Sequence, residues 1–416
     1  MSCNEWKEYT LQDICIEITD GSHASPKSVE DGYPMASVKD MNYFNINIDT
    51  CRRISYEDYK KLVKGNCKPL INDVLIAKDG SYMKYVNVVK KEIDLVLLSS
   101  IAILRPNIEF INPMFLKYYL LTPNVKRDLE QGYVSGSAIR RIVLKDFKRF
   151  PLNLPPLEEQ EKIADILSSL DDKIQLNNEM NKTLEEMAQA LFKRWFVDFE
   201  FPNENGEPYK SSGGEIVESE LGMIPKGWEV KSLDEIADFL NGLAMQKFRP
   251  KEDDKDYLPV LKIKELKQGN TSNDSDRCSC NIDKKYIITD GDVIFAWSGS
   301  LDVRIWCGGE AGLNQHLFKV TSQDYPKWFY YLWVKRYLDD FIRIAADRAT
   351  TMGHIKRSNL SEAKVLVPSK ETIKLMGDKL GYLIDDYIEK NREVKHLVNL
   401  RNTLLPKLMS GEIRVK

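Results

Sequence analysis

The stretch DVLIAKDGS at residues 73–81 returns as DVIFAWSGS at residues 292–300. Asp, Val, Ala, Gly and Ser keep their places in both. Four apolar residues held between an Asp and a Gly/Ser turn read as a short buried strand. Further echoes follow in the same order. Trp6-Lys-Glu-Tyr-Thr-Leu-Gln-Asp-Ile is matched by Trp228-Glu-Val-Lys-Ser-Leu-Asp-Glu-Ile, and Pro113-Met-Phe-Leu-Lys-Tyr-Tyr by Pro326-Lys-Trp-Phe-Tyr-Tyr-Leu. Ile139-Arg-Arg precedes Leu144 as Ile355-Lys-Arg precedes Leu360. Leu154-Pro155 and Val367-Pro368 each open a helical stretch. Five anchors in one order imply an internal duplication. The period is far too long for a solenoid, so each copy is expected to be a domain with its own core.

A chain of 416 residues has room for two or three domains, and 43% apolar with 10% aromatic residues is ordinary for a globular protein. The longest mostly apolar run, Leu95–Leu104, is too short to span a bilayer, and the N-terminus shows no signal-peptide pattern. Seven scattered cysteines fit reduced thiols in a cytoplasm better than a disulfide framework. Cys278 and Cys280, with Cys307 downstream, lack the paired spacing of a zinc module, so no metal site is expected.

Outside the two copies the pattern changes. After Pro155 and Pro156 come Glu158, Glu159 and Glu161, acids near the positive end of a helix dipole. Ile163, Leu167, Leu170 and Ile174 then step by four, three and four. The same steps lead to Asn177, Asn181, Leu184, Ala188, Leu191 and Trp195, an a/d seam with two asparagines inside it. About forty residues at about 1.5 Å each make a rod of roughly 60 Å. A second seam runs through Met376, Leu380, Leu383, Tyr387, Val394, Leu397 and Leu404. Two such seams in one chain most simply pack on each other, antiparallel. The expected fold is therefore α+β. Two similar mixed α/β domains, at 1–155 and 223–368, are separated by two long antiparallel helices, at 156–199 and 369–416, that form a coiled coil with an internal pseudo-two-fold. Residues 200–222, rich in Pro, Gly, Ser and Glu, read as an exposed linker.

The net charge is only −3, but it is segregated. Acids crowd the helix from Glu158 to Glu186. Arg140, Arg141, Lys145, Lys148 and Arg149 cluster in the first copy, and Arg343, Arg348, Lys356 and Arg357 in the second. Catalytic patterns are missing. There is no Walker loop, no G-x-S-x-G elbow, no H-E-x-x-H and no methyltransferase signature ahead of a Pro-Pro pair. His23, His316, His354 and His396 are scattered. Asp254 or Asp256 with Glu265 and Lys267 can be forced into a metal-nuclease pattern, which is a chance match in a chain that is 30% charged. The sequence is that of a recognition protein without catalytic residues of its own.

PLNLPPLEEQEKIADILSSLDDKI at 151–174 closely resembles the segment that closes each recognition domain in specificity (S) subunits of type I restriction–modification systems. KRWFVDFEFPNENGEPYKSSGGEIVESELGMIPKGWEV at 193–230 is similar to the family's central region, and LRNTLLPKLMSGEIRV at 400–415 to its C-terminal end. The second helix departs from the pattern, since VPSKETIKLMG at 367–377 lacks the PPLEEQ wording. The resemblance implies that each domain is a target recognition domain reading one half of a bipartite, asymmetric sequence in double-stranded DNA. The helices would set the spacing, near one helical turn of about 34 Å or a modest multiple. It also implies two modification (methyltransferase) subunits that bind S-adenosylmethionine and methylate adenine. Translocase–nuclease restriction subunits using ATP and Mg would join them, in the cytoplasm and away from membranes. No cofactor is expected in this chain. The candidate DNA-binding residues are Lys78, Ser81, Lys84, Ser137, Arg140 and Arg141 in the first copy. In the second they are Ser298, Ser300, Arg304, Thr351, His354, Lys356 and Arg357. Side chains of these types reach phosphates and groove edges. Trp297 and Ala77 read as packing. Two alternatives are an adaptor that binds acidic proteins through two domains on a helical spacer, and an enzyme fused to its own reader.

Overall fold

The structure, a computed structural model, describes residues 6–80, 84–136, 140–251, 256–347 and 353–415. The chain forms two compact units, Met1–Gln175 with Leu397–Lys416, and Leu176–His396. The two helices Leu157–Phe196 and Lys370–Met409 therefore each begin in one unit and end in the other.

The echoed strand explains its own repetition. In unit 1, Val74–Ala77 lies inside an antiparallel sheet in the order Cys15–Asp20, Ile101–Pro106, Val74–Ala77, Val86–Val88. In unit 2, Val293–Ala296 holds the same place among Asp238–Asn241, Leu317–Thr321 and Asp302–Ile305. All four residues of both strands are buried, so both faces must be apolar. The leading Asp closes the turn into the strand. Asp73 accepts the Leu70 N–H at 2.7 Å, and Asp292 the Thr289 N–H at 2.8 Å. Each carboxylate also takes a cation from an adjacent strand. Arg105 binds Asp73 through two bonds of 3.0 Å, and Lys319 Nζ lies 2.8 Å from Asp292. Gly80 and Gly299 share φ = 68°, a left-handed conformation that a side chain would strain.

Each copy is closed by pairing its first strand with its last. Lys7–Thr10 pairs with Pro151–Leu154, and Glu229–Ser232 with Lys364–Val367, both antiparallel over four residues. Capping boxes then start the short helices Leu11–Ile14 and Leu233–Ile236: Thr10 bonds Asp13 and Ser232 bonds Glu235 through both backbone N–H and hydroxyl. One helix spans Pro113–Leu121, and a new one starts at Pro123. Its counterpart Lys327–Asp347 runs unbroken.

Both long helices contain 40 residues. In unit 1, Ile163 and Leu167 are fully buried with Leu405, Leu408 and Met409, Ile174 is buried, and Leu170 is half-buried. In unit 2, Ala188, Phe192 and Trp195 pack with Ile373, Met376, Leu380, Ile384 and Ile388. Leu191, Leu383 and Tyr387 pack at the edge of that cluster, while Leu184, Val394 and Leu397 are half-buried. The buried line is thus wider than an a/d seam and drifts from it. Each helix packs on its globule as well as on the other helix, and a straight helix has 3.6 residues per turn rather than 3.5. The seam asparagines are buried. Asn177 Nδ2 donates to Glu393 Oε2 at 2.9 Å, while the side-chain atoms of Asn181 meet no partner among the described residues.

Unit 1 also buries a charged group. Asp171, nearly fully buried, accepts from Arg401 Nη1 at 2.7 Å and from the Tyr118 hydroxyl at 2.9 Å, and Lys117 Nζ lies 3.6 Å away. The Tyr43 ring covers both cations, at 4.4 Å from the Arg401 guanidinium and 5.1 Å from Lys117. Burial pushes the Lys117 ammonium below its ordinary range, opposed by Asp171.

The linker at 200–222 carries more structure than its composition implies. Phe201 is buried, stacked on Tyr209 with ring centres 4.6 Å apart and tilted against Trp228 at 5.0 Å. Ile216–Ser219 and Gly222–Pro225 form a hairpin.

Two outcomes are expected. Asn181→Leu, which removes two unpaired buried polar atoms, should raise stability by about 1–2 kcal/mol in urea titrations. Burial also pushes the Tyr330 and Tyr387 phenols up to about 12, and raises the Tyr331 phenol as well. A raised phenol stabilises the fold fully below its unfolded pKa near 10, and that contribution is lost as pH rises toward about 12. Melting temperature should fall steeply across this window, and less so in Tyr330→Phe.

Candidate nucleic-acid interface

In each unit the loop after the echoed strand is bonded, through the backbone, to a segment some sixty residues downstream. In unit 1 the Gly80 N–H donates to Arg140 O (2.8 Å) and Ile142 N–H to Lys78 O (3.0 Å). In unit 2 the Gly299 N–H donates to Gly353 O (2.7 Å) and Ile355 N–H to Trp297 O (3.1 Å). Bridges Asp79–Arg141 and Ser298–His354 complete the match.

This register corrects one sequence anchor. Ile355 is equivalent to Ile142, both buried, and not to Ile139. Arg140 and Arg141 therefore stand where the second copy has Gly353 and His354, and Lys356 and Arg357 stand where the first has Val143 and Leu144. The basic residues of the first copy lie at and just before the bridge, and those of the second copy just after it. The strings Ile-Arg-Arg and Ile-Lys-Arg look alike, but backbone hydrogen bonds decide the equivalence.

A matched glycine lies beside the same loop. Gly21 and Gly242 press so close to the neighbouring chain that a Cβ would meet Leu97 O at 2.3 Å and Asn314 O at 2.2 Å. The residues before them, Asp20 and Asn241, face the residue after each echoed strand. Lys78 is buried and ion-paired with Asp20. Trp297, at the equivalent position, donates its indole N–H to Asn241 Oδ1 at 3.2 Å and stacks on Phe318 with centres 5.5 Å apart. One scaffold position thus carries an ion pair in one copy and an aromatic–amide pair in the other.

The other candidates are placed as follows. Arg140 and Arg141 are exposed at the bridge; Lys84 is exposed, with Nζ 5.0 Å from the Tyr85 ring centre. Ser298 is buried, its hydroxyl 2.9 Å from His316 Nδ1, and His316 Nε2 lies 3.3 Å from Gln315 Nε2. Ser300 is exposed and bonded to Lys267. His354 is exposed and edge-on to Trp297 at 6.3 Å, and Lys356 is exposed. Arg357 donates to Phe239 O at 3.0 Å and lies over the Phe318 ring. Arg304 is not part of this loop cluster: it sits across from Ile294 in the edge strand, bonded to Asp302 at 2.7 Å. Ser81, Ser137 and Thr351 lie outside the described residues, as does Arg348.

Sequence reasoning passed over a second feature of unit 2. A cleft of about 400 Å³ is lined by Gln246, Arg249, Lys262, Asn273, Arg277 and Asn314 among others. The Arg277 guanidinium stacks over the Tyr257 ring at 4.2 Å, and Lys262 is paired with Asp276. Amide and guanidinium side chains are the ones that read base edges. The available signal was the amide- and Arg-containing stretch 244–277, which lies between anchors where the copies diverge. The acid of the nuclease-like pattern is spoken for: Glu265 is buried and accepts from Ser275 Oγ (3.2 Å) and the Lys262 N–H (3.3 Å). Cys278 and Cys307 belong to separate apolar clusters, and burial pushes both thiols up to about 11, away from the thiolate a metal needs.

The fold is that of a duplicated mixed α/β scaffold joined by two long helices. The model for the type I restriction modification DNA specificity domain matches residues 4–186 and again 225–398, and the chain belongs to this family. It is 24% identical to the type I restriction enzyme HindI specificity subunit of Haemophilus influenzae, over 99% of this chain and all of that one. It is 28% identical to the MjaIX specificity subunit of Methanocaldococcus jannaschii, over 72% of this chain and 69% of that one. The crystal structure of a type I S subunit from M. genitalium shares the fold, with a TM-score of 0.59 and 15% identity over 98% of this chain and 97% of that one. DNA sequence recognition is the role of the family, which is non-catalytic. Among the described residues no helix is long and apolar enough to cross a membrane.

Gly299→Ala should cost about 1–2 kcal/mol in denaturant titrations, because alanine is strained at φ = 68°.

Proposed function

We propose that each globule reads one half of a bipartite, asymmetric duplex sequence, and that the two long helices set the spacing of the half-sites and dock two modification subunits. One observation carries this reading. The two copies share hydrogen-bond register around the loop after the echoed strand, yet differ in what the loop presents. Lys78 with Asp20 is answered by Trp297 with Asn241, and Arg140-Arg141 by Gly353-His354. A scaffold kept twice with unlike side chains at matched places is suited to two unlike half-sites.

The chain supplies recognition and the chemistry belongs to partners. Modification subunits would bring S-adenosylmethionine and methylate adenine at N6. Restriction subunits would bring ATP- and Mg-dependent translocation and cleavage. A reader with a net charge of −3 draws part of its phosphate contact from those partners.

The test is a methylome. This chain, co-expressed with its modification subunit, should place N6-methyladenine in a two-part motif with an unread gap, and the motif should vanish when the chain is omitted. No new motif from an assembled complex would turn the reading toward a protein-binding adaptor. Arg141→Ala should lower DNA affinity of the complex by about 1–3 kcal/mol and relax one half-site if it contacts a base. If it touches phosphate only, binding should weaken on all sequences alike and the salt slope should drop by about one.

A further inference from the structure

The buried charged group of unit 1 has an apolar counterpart in unit 2. The shift that carries Pro113 onto Pro326 and Leu154 onto Val367 carries Lys117 onto Tyr330, Tyr118 onto Tyr331, Asp171 onto Ile384 and Arg401 onto Ala188. The same shift relates the ends of the two long helices. The Val197 N–H bonds Lys193 O and the Glu200 N–H bonds Arg194 O, as the Ser410 N–H bonds Pro406 O and the Ile413 N–H bonds Lys407 O. Tyr330, Tyr331, Ile384 and Ala188 are all buried in one cluster of unit 2, so the equivalent site exists there with apolar residues in place of Asp171 and Arg401. The Tyr331 hydroxyl donates instead to Glu185 at 3.4 Å, a residue of the first helix that is ion-paired with Lys335 and has Val398 as its counterpart on the second.

We infer that Arg401 and Asp171 form a selectivity device that makes the first long helix pair with the second and prevents either from pairing with its own kind in another copy of the chain. A duplicated protein has two ways to satisfy each seam. The start of the first helix can receive the end of the second, as observed, or the end of the first helix of another molecule. In that second case Ala188 would take the place of Arg401, and Asp171 would lose its guanidinium, its nearest charged partner. A closed dimer of this kind must also pair two second helices. Arg401 would then enter the site lined by Tyr330, Tyr331 and Ile384, a cation buried without a counter-ion, which is strongly unfavourable. Apolar seams discriminate less sharply, because both helix ends are apolar at matched positions, with Leu191, Phe192 and Trp195 on the first and Leu404, Leu405 and Leu408 on the second, and apolar burial is non-directional. A single buried polar contact that only one pairing satisfies discriminates between them, as seam asparagines do in coiled coils.

The test grafts the apolar set of unit 2 into unit 1 of the full chain, as Lys117→Tyr with Asp171→Ile and Arg401→Ala. Wild type, this triple variant and Arg401→Ala alone are unfolded in urea, refolded over a concentration series and examined by native mass spectrometry. The triple variant should remain folded and show at least a tenfold higher dimer fraction than wild type. Arg401→Ala should move in the same direction by about threefold or more. Mixed light- and heavy-isotope chains, cross-linked through lysines, should show links between two first helices in those dimers. A dimer fraction equal to wild type in either variant overturns the inference. So does a dimer linked only first helix to second; if the triple variant does not fold, the dimer fraction of Arg401→Ala decides alone.

Discussion

The rest of the molecule hangs on four residue pairs in each copy, those that zip its first strand to its last. Lys7–Thr10 against Pro151–Leu154, and Glu229–Ser232 against Lys364–Val367, bring the two ends of some 150 residues together. That closure makes each copy a domain. It also fixes the point from which each long helix departs, since Leu157 and Lys370 follow the last strand within a few residues. The capping boxes at Thr10 and Ser232 sit at the same closure and stop the first strand from running on.

Inside this frame two kinds of position coexist. Some must be alike in both copies because the backbone leaves no choice: Asp73 and Asp292 at the turn, Gly80 and Gly299 at positive φ, Gly21 and Gly242 against a neighbouring carbonyl. Others share a backbone place but are released from sequence constraint, as Lys78 and Trp297 are. In the proposed reading, the recognition surface is drawn from the second kind. A buried Lys–Asp pair and a stacked Trp with an amide partner give the two places different charge and polarity on matching sheets.

The helices solve a separate problem. Their apolar faces supply the bulk of the packing, but apolar burial is non-directional. Direction comes from a few polar groups that accept only one neighbour, with Asn177 on Glu393 in unit 2 and Asp171 between Arg401, Lys117 and Tyr118 in unit 1. Burying ions is weak support for stability and better support for uniqueness.

By itself, the sequence determined the duplication, the mixed α/β character of each copy, the presence of two long helices and the class of protein; the second helix ends at Met409, short of the expected 416. These rest on local periodicity, turn chemistry and repeated wording, all of which are written in contiguous residues. Tertiary structure alone decided that Lys78 points inward to Asp20, that Ile355 matches Ile142, that the helix faces widen to include Ile373, Ile384 and Ile388, and that a cleft forms beside Arg277. It also decided that Arg401 meets Asp171 across 230 residues of chain. Each of these is a choice among partners distant in sequence, settled by hydrogen-bond register and by the cost of leaving a buried charge unmatched. No local pattern encodes that choice.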